Sequence, residues 1–474
     1  MKRFIIVTAC IVLICGALFY FTSWPGKYSD AAATGGVVNL NGHDLSSELV
    51  KLDGEWEFYF NELLTPEAAR PDAAPYGDSG FIKVPMSWDK AGYPLKGSAT
   101  YRLTVLTDEL GLMLHIPKIT FSSVVWVNGK KVFSAGIPGR TREEATPGVG
   151  TAFVPVTPEN GRIEIVVQAA SYNWYVAGLR NGWELGRSDI MLKDAAVRYS
   201  LLALAIGALL VMALYHIILF AYRRSERVYL AFALTLLSSC LRYFLETHGF
   251  AQLLLPGGMG EGLMRLYLST VILQPGLEVF FTHSVFSVPY KSAARRVIYT
   301  LCAVVPMFFT FVLPDGIIYA NYYLFLVTVP MVWSVISALR ASRSRISSYN
   351  ALFLVSMAIF ILWYPIQKIW LDDALFMPGA ATHMFLSLSQ CVMLAVSYAE
   401  TKRRIDDLAA KTDFFRKMNH SMRTPLTVLS TNIQVARLRP EEAEGLLKDS
   451  QAEIMKLADM VSDALKNNGG AGER

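Results

Sequence analysis

The polar stretch between residues 24 and 195 contains no cysteine. This absence excludes a disulfide framework and a cysteine-based metal site there, so an ordinary hydrophobic core must hold the region together. The five cysteines of the chain all lie inside apolar segments: Cys10, Cys15, Cys240, Cys302 and Cys391. A hydrophobic share of 53% and a positive mean hydropathy are too high for a soluble protein and indicate a membrane protein.

Lysine and arginine are missing from three of the loops that separate long apolar segments, at residues 247–262, 314–316 and 371–380. Seven such segments follow the polar region, each close to the length of about 20 residues that a membrane-spanning helix needs. Their approximate limits are 198–221, 228–247, 263–286, 297–313, 317–339, 349–370 and 380–399. The remaining loops and the residues just after 399 are basic, and basic loops stay in the cytoplasm. We therefore predict a multi-pass protein of the cell membrane, with residues 24–195 outside the cell and the C-terminal tail inside.

An eighth apolar run, Phe4–Phe21, follows Lys2 and Arg3. This pattern predicts that residues 1–23 form either a cleaved signal peptide or an uncleaved signal anchor, and the sequence leaves both open. A lipoprotein cleavage pattern that ends at Cys10 comes too early, because apolar sequence continues after it. Lipidation is therefore disfavoured.

Polar groups inside the apolar segments suggest few chemistries. The last segment contains no lysine for a Schiff base, so a retinal receptor is disfavoured. Arg242 and Glu246, four residues apart, are predicted to form an ion pair on one helix face. Glu278 and His283 either belong to a proton or ion pathway or join helices as polar contacts, and the second interpretation is favoured. A transporter is disfavoured because no internal repeat is evident.

Alternating apolar residues indicate β-strands in the polar region. Four stretches show the pattern most clearly, at residues 55–60, 99–105, 123–133 and 162–169. Asn128-Gly129, inside the third stretch, predicts a tight hairpin turn because both residues accept a positive φ. Trp56 and Trp126 are predicted to lie in the core. We expect residues 37–192 to fold as an extracellular β-sandwich.

Several motifs in this region carry a resemblance: LDGEWEFYF (52–60), VPMSW (84–88), GSATYRLTV (97–105) and VWVNGKKV (125–132). Together they resemble the jelly-roll, galactose-binding-like module of the sugar-binding domains of family-2 glycosidases. A similar module forms the extracellular part of bacterial seven-transmembrane receptors with diverse intracellular signalling modules. The resemblance implies an extracellular small ligand, with a carbohydrate as the candidate. Trp174, Tyr175 and Trp183 lie in a less strand-like aromatic cluster that is better placed at the rim of the domain, and they are the predicted ligand-binding residues.

The cytoplasmic tail has a helical pattern. Neither glycine nor proline interrupts residues 400–420, so the last membrane helix is predicted to continue into the tail. Two apolar stripes at helical spacing follow, separated by a turn at Pro440: Met418, Met422, Leu429, Ile433 and Ala436, then Leu447, Ser450, Ile454, Leu457, Val461 and Ala464. Because one hairpin cannot bury both stripes, residues 400–468 are predicted to pair with a second copy as a dimeric four-helix bundle.

Residues 420–426, HSMRTPL, resemble the phosphoacceptor motif of bacterial sensor histidine kinases, and the likeness extends over roughly residues 411–466. It implies that His420 accepts the phosphoryl group and that Thr424 positions water for dephosphorylation. Ser421 stands where the family has an acidic residue that orients the imidazole and takes its proton. The helical spacing predicts that His420 faces water, away from the apolar stripe.

The sequence contains no asparagine-rich box and no D-x-G-x-G loop of a kinase ATP-binding domain. We expect this chain to bind no cofactor itself, and the phosphoryl group to come from ATP through a separate module. That module is either a kinase domain acting in trans or a further part of the same gene, and both stay open. We predict a sensor-histidine-kinase receptor that forms a homodimer and passes the phosphoryl group to a response regulator. The alternative is a non-catalytic receptor or scaffold whose tail only dimerises and docks partners; neither a metal nor a nucleic acid is indicated.

Overall fold

A computed structural model describes residues 28–69, 79–172, 177–247, 261–286 and 376–469, together with residue 16 and scattered positions between 296 and 358. The chain forms two compact units, Met1–Cys391 and Val392–Arg474. The predicted signal segment at residues 1–23 lies almost wholly outside the described residues. The same holds for most of three predicted apolar segments, 297–313, 317–339 and 349–370.

Between residues 28 and 187, the described part of the first unit is built of β-strands and their connections. The described strands are β1 (Tyr28–Ser29), β2 (Val37–Asn39), β3 (Leu49–Lys51), β4 (Gly54–Phe60), β5 (Ser79–Val84), β6 (Gly97–Leu106), β7 (Leu112–Ile119), β8 (Ser122–Val127), β9 (Lys130–Ala135), β10 (Gly150–Val156), β11 (Arg162–Ser171) and β12 (Glu184–Arg187). All four stretches that the alternation singled out are strands or a strand hairpin, so these predictions are confirmed.

Two sheets share one hydrophobic core. The first has the strand order β1-β3-β12-β7-β10, and the second has the order β5-β4-β6-β11-β8-β9, with β2 added beside β6. Leu114 and Leu185 enter the core from the first sheet, and Phe58, Tyr101 and Ile165 enter it from the second. All five are 0% exposed. The described part of the domain therefore has two β-layers around an apolar interior, in agreement with the prediction.

The hairpin between β8 and β9 turns at Asn128 and Gly129, whose φ angles are 49° and 75°. These positive values are those that a two-residue hairpin turn requires, and they confirm the prediction. The Asn128 side chain also holds the turn against its neighbours. Its Nδ2 donates to the carbonyl of Thr157 at 2.9 Å, and its Oδ1 accepts from the backbone N–H of Glu164 at 2.8 Å.

The tryptophans of the domain occupy different depths. Trp56 is 0% exposed, and its Nε1 donates to the carbonyl of Leu52 at 2.8 Å, so its predicted core position is confirmed. Trp126 is only half-buried and packs against a separate cluster that contains Leu64 and Val166. The prediction that Trp126 lies in the main core is wrong. The neighbouring residue Val125 is fully buried in that core, and successive side chains of a strand point to opposite faces of the sheet, so Trp126 lies on the face away from the core.

Five long helices follow among the described residues: α1 (Ser188–Tyr222), α2 (Arg227–Glu246), α3 (Glu261–Phe286), α4 (Phe376–Leu438) and α5 (Ala443–Gly469). A short 3-10 helix, Pro440–Glu442, joins the last two. In the described part of the chain, α1 and α2 are long and apolar enough to cross a membrane. α1 begins directly after β12, inside the range predicted for the outer domain. α4 begins inside a predicted loop, so both helices are longer than the apolar pattern indicated.

Aromatic contacts join the first three helices. His216 of α1 and Phe232 of α2 lie edge to face with ring centroids 4.6 Å apart, and Phe232 lies 5.3 Å from Phe281 of α3. The predicted ion pair on α2 is present, with Arg242 Nε 3.4 Å from a carboxylate oxygen of Glu246.

The β-domain packs directly on the helices of the same unit. Met191, in the first turn of α1, is buried with Leu49 and Met113 of the first sheet. Val149, in the loop before β10, is buried with residues of α2 and α3. The β-domain therefore contacts the adjacent ends of three helices.

Candidate functional site

His420 lies on α4, in the part of the helix that belongs to the second unit. Its side chain is exposed, whereas Met418 and Met422 are half-buried. Each methionine is two residues away, and two residues turn an α-helix by about 200°. The helix therefore presents His420 to solvent, as predicted. An exposed imidazole can meet a reactant that another module carries.

The residues after His420 modify the helix locally. Ser421 and Thr424 are both exposed, and Thr424 lies one turn beyond His420 on the same helix face. Pro425 is buried within α4. Because proline has no N–H, the carbonyl of Ser421 lacks its usual helical donor. The backbone beside His420 is therefore held by one hydrogen bond fewer than elsewhere in the helix.

A second helix packs along α4 in this unit. Asn432 Nδ2 donates to the hydroxyl of Ser450 on α5 at 3.4 Å, and Ser450 is only 8% exposed. Met422 and Leu429 on α4 and Leu457 on α5 are half-buried on the inner side of this hairpin. The predicted pair of helices joined by a turn at Pro440 is confirmed.

A set of apolar side chains on the hairpin stays exposed. We call it the outer stripe: Leu426 and Ile433 on α4, with Leu447, Ile454 and Val461 on α5, which are between 42% and 64% exposed. They recur every seven residues, the spacing of a face that packs against another helix. The helical spacing predicts that four of the five belong to the same stripes as Met422 and Leu457. That assignment is wrong, because each helix carries two apolar faces and the hairpin covers only one.

The structure separates the three aromatic residues predicted to bind a ligand. Trp174 and Tyr175 lie outside the described residues. Trp183 is 0% exposed and packs against Trp56, with ring centroids 5.4 Å apart. It immediately precedes β12 and points between the sheets. The prediction that Trp183 offers a stacking face at the rim is therefore wrong.

A cluster of polar side chains joins the first sheet to α1. Glu184 accepts a hydrogen bond from Tyr28 at 2.7 Å and contacts His115 Nδ1 at 3.1 Å, and Arg198 of α1 donates to the Tyr28 hydroxyl at 3.2 Å. Burial acts to raise the pKa of Glu184, but the hydrogen bond and charge of His115, with Arg198 and Tyr28, outweigh it and lower that pKa to about 2. Sequence reasoning missed this cluster because its contacting pairs are 69 to 170 residues apart.

Two family models match the chain. The model described as 7TM diverse intracellular signalling matches residues 198–408, and the His Kinase A (phospho-acceptor) domain matches residues 410–466. The chain therefore joins a 7TM signalling domain to a His Kinase A domain. The predicted architecture, a 7TM signalling domain followed by a His Kinase A domain, is confirmed, and the two domains support a signalling receptor of the sensor-histidine-kinase type. The His Kinase A domain contains His420 and most of the hairpin.

Parts of the chain are similar to solved structures of glycosidases. A β-glucuronidase from Ruminococcus gnavus is 16% identical over 29% of this chain and 28% of that chain, with a TM-score of 0.22. A β-glucosidase from Kluyveromyces marxianus is 14% identical over 34% of this chain and 18% of that chain, with a TM-score of 0.18. The match thus spans less than a third of either enzyme. No curated protein matches this chain.

Proposed function

We propose that the protein is a transmembrane receptor in which a ligand outside the cell controls phosphorylation of His420 inside it. The observation that carries the proposal is the exposed His420 on the first helix of a His Kinase A domain. The outer stripe supports a homodimer, because burying its five side chains requires a surface outside the hairpin.

In the proposed reaction, a neutral ring nitrogen of His420 attacks the γ-phosphorus of ATP that a separate kinase module holds. A nitrogen–phosphorus bond forms, the bond to the leaving ADP oxygen breaks, and the proton on the other ring nitrogen passes to solvent. The phosphoryl group then moves to an aspartate carboxylate of a response regulator: an oxygen–phosphorus bond forms, the nitrogen–phosphorus bond breaks, and the ring takes back a proton from solvent, which restores the neutral imidazole. Thr424 is proposed to orient the water that removes phosphate when signalling stops.

A second candidate function is a non-catalytic receptor or scaffold. Ser421 favours it, because a hydroxyl cannot take the imidazole proton as the usual carboxylate does. In that case the tail would only dimerise and dock partners. The exposure of His420 is compatible with both functions, so the decision rests on transfer of the phosphoryl group.

The test uses the full chain in detergent, the ATP-binding domain of a related sensor kinase, and ATP labelled at the γ-phosphate. We expect acid-labile label on the wild type and none on His420→Ala. Asn419→Ala is the matched control, because Asn419 is also exposed and directly precedes the histidine, and this variant should keep its label. Label absent from the wild type would favour the scaffold, and label that persists in His420→Ala would exclude the proposed acceptor.

We also propose that the β-domain is an extracellular jelly roll that binds a carbohydrate or a related small ligand. The support is the set of strand motifs and the aromatic stretch that contains Trp174 and Tyr175. A glycan screen on the full chain should find a ligand whose binding is weakened by Trp174→Ala and Tyr175→Ala. Binding that both variants leave unchanged would remove this site assignment.

The proposed orientation has a separate test. The loop charges support residues 24–195 outside the cell and the His Kinase A domain in the cytoplasm. A tag fused after Arg474 should be protected from an impermeant reagent in intact cells and should react after permeabilisation. Reaction in intact cells would contradict the orientation.

A further inference from the structure

A polar cluster is enclosed by three helices of the 7TM domain. Its members share complete burial, with side chains that are each 0% exposed: Ser239 on α2, Gln274 and Glu278 on α3, and His383 and Gln390 on α4. The sequence also indicated Glu278 as a candidate, but grouped it with His283 and not with the other members of this cluster. His283 lies more than one turn away, where its Nδ1 contacts the hydroxyl of Tyr299 at 3.3 Å.

The cluster is connected by hydrogen-bond contacts from helix to helix. Gln390 contacts one carboxyl oxygen of Glu278 through its amide at 2.6 Å, and Gln274 contacts the other at 3.5 Å. The same amide of Gln274 lies 3.3 Å from His383 Nε2, and the Ser239 hydroxyl lies 3.0 Å from that nitrogen. The chain of contacts thus runs from α2 through α3 to α4.

The carboxyl group of Glu278 has no cationic partner among the described residues. Its hydrogen-bonding neighbours in this part of the chain are two neutral amides, and no described lysine or arginine forms an ion pair with it. Arg242, on α2, forms an ion pair with Glu246 at 3.4 Å. An ionised carboxylate that is fully buried without a counter-charge is strongly disfavoured, and such a group binds a proton instead.

The contact between Glu278 and Gln390 also fits a protonated acid. Its length of 2.6 Å is short for an N–H···O bond, which is roughly 2.7–3.2 Å, but ordinary for an O–H···O bond. A half turn of an amide exchanges its oxygen and nitrogen, so Gln390 can offer its carbonyl oxygen to a carboxylic O–H. The carbonyl oxygens of Gln390 and Gln274 are both buried and have no donor among the described residues. A proton on Glu278 supplies a donor to this set of acceptors.

We propose that the cluster is a proton-binding site, in which Glu278 is a neutral carboxylic acid that donates a hydrogen bond to Gln390 at neutral pH. Loss of the proton would leave a charge that only amide dipoles stabilise, and it would break the O–H···O bond between α3 and α4. The site therefore gives the 7TM domain a contact between helices whose strength depends on pH.

The described helices around the cluster carry other titratable and charged groups, among them Tyr243 of α2, whose ring lies 5.7 Å from that of His383. His383 of α4 is the titratable side chain within the cluster, and it reaches Glu278 only through Gln274. On α2, Arg242 and Glu246 neutralise each other. His216 of α1 is bonded within its own helix, by Nδ1 to the carbonyl of Met212 at 2.8 Å. The proton on Glu278 therefore has no direct competitor among these groups.

The test is infrared spectroscopy of the full chain in lipid nanodiscs as the pH is varied. We expect a carboxylic-acid C=O band at neutral pH, where an ordinary glutamate with a pKa of about 4.3 is ionised. Glu278→Gln should remove this band, and Glu246→Gln is the matched control that should leave it in place. Absence of any band at neutral pH that depends on Glu278 would overturn the proposal.

Two further measurements keep the result decisive. Gln390→Ala should leave the band present but shift its frequency, because the hydrogen bond is lost, and this carries the test if Glu278→Gln does not fold. Thermal melting in sodium chloride and in choline chloride addresses a metal ion as the occupant. A midpoint that sodium raises in the wild type but not in Glu278→Gln, together with a carboxylate band at neutral pH, would show a sodium site and refute the proton site.

Discussion

Replacing Ile454 with alanine tests whether the outer stripe forms the dimer interface. Ile454 is 55% exposed and lies midway between Leu447 and Val461, seven residues from each. Complete burial of an isoleucine side chain contributes about 1.5–3 kcal/mol, so burial of the exposed half contributes about 1 kcal/mol. A symmetric dimer buries two copies, and Ile454→Ala should therefore weaken dimerisation by about 2 kcal/mol. This corresponds to an increase of about 30-fold in the dissociation constant.

The assay is energy transfer between donor-labelled and acceptor-labelled full chains, diluted stepwise in detergent. Met455→Ala is the matched control, because Met455 is more exposed, at 69%, but lies outside the outer stripe. We expect this control to dimerise as the wild type does. Equal weakening by both variants would show that general loss of apolar surface is responsible. No change for Ile454→Ala would refute the proposed interface.

Three other predictions concern single side chains. Ser421→Glu restores the usual acid beside the phosphoacceptor and should speed labelling at least about tenfold in the transfer assay, since a positioned base contributes 10²-fold or more; an unchanged rate would refute this role. Glu184→Gln should lower the free energy of unfolding by about 3 kcal/mol at pH 7, because the pKa of Glu184 falls from 4.5 to about 2 on folding. This contribution to stability is complete above pH 4.5 and is lost as the pH falls to about 2. In denaturant titrations followed by tryptophan fluorescence, only the wild type should then lose this stability between those pH values. Arg102→Ala should lower the free energy of unfolding by about 3 kcal/mol, because Arg102 is 5% exposed and contacts the carboxylates of Glu57 and Glu164 at 2.7 Å. Lys130→Ala is the control and should lower it by less than about 0.5 kcal/mol, because the side chains of Lys130 and its partner Glu159 are 82% and 58% exposed.

The elements of the β-domain could be predicted because their causes are local. Period-two alternation depends only on the pleat of each strand, and it located β4, β6, β8 and β11. The β8–β9 turn needs two residues that accept positive φ, and Asn128-Gly129 is read directly from neighbouring letters. The partners of these strands depend on residues far away in the chain. The pairing of β12 with both β3 and β7 therefore has no signature in any short window.

The errors concerning tryptophan have the same origin. An aromatic side chain can cover a core or form a binding surface, and local pattern does not distinguish these uses. Trp183 follows an irregular stretch and was expected at a rim, but the connection into β12 turns it against Trp56. Trp126 alternates correctly within β8, yet its side of the sheet meets only a small cluster around Leu64. The depth of each ring depends on which layer covers that face.

The tail shows what helical periodicity can and cannot determine. A period of 3.6 residues gives the angle of a side chain around its own helix, and it correctly directed His420 away from the methionines that flank it. It does not say which neighbour covers an apolar face. Positions 450 and 454 are four residues apart and were placed in one stripe, yet Ser450 is 8% exposed and Ile454 is 55% exposed. The boundary between the covered and uncovered faces runs between them, because α4 covers only one side of α5. A second subunit that covers the other side would leave His420 exposed only if it avoids the helix face of His420 and Thr424. A dimer that meets along the outer stripe satisfies this condition, because Leu426 and Ile433 lie on a different helix face from His420.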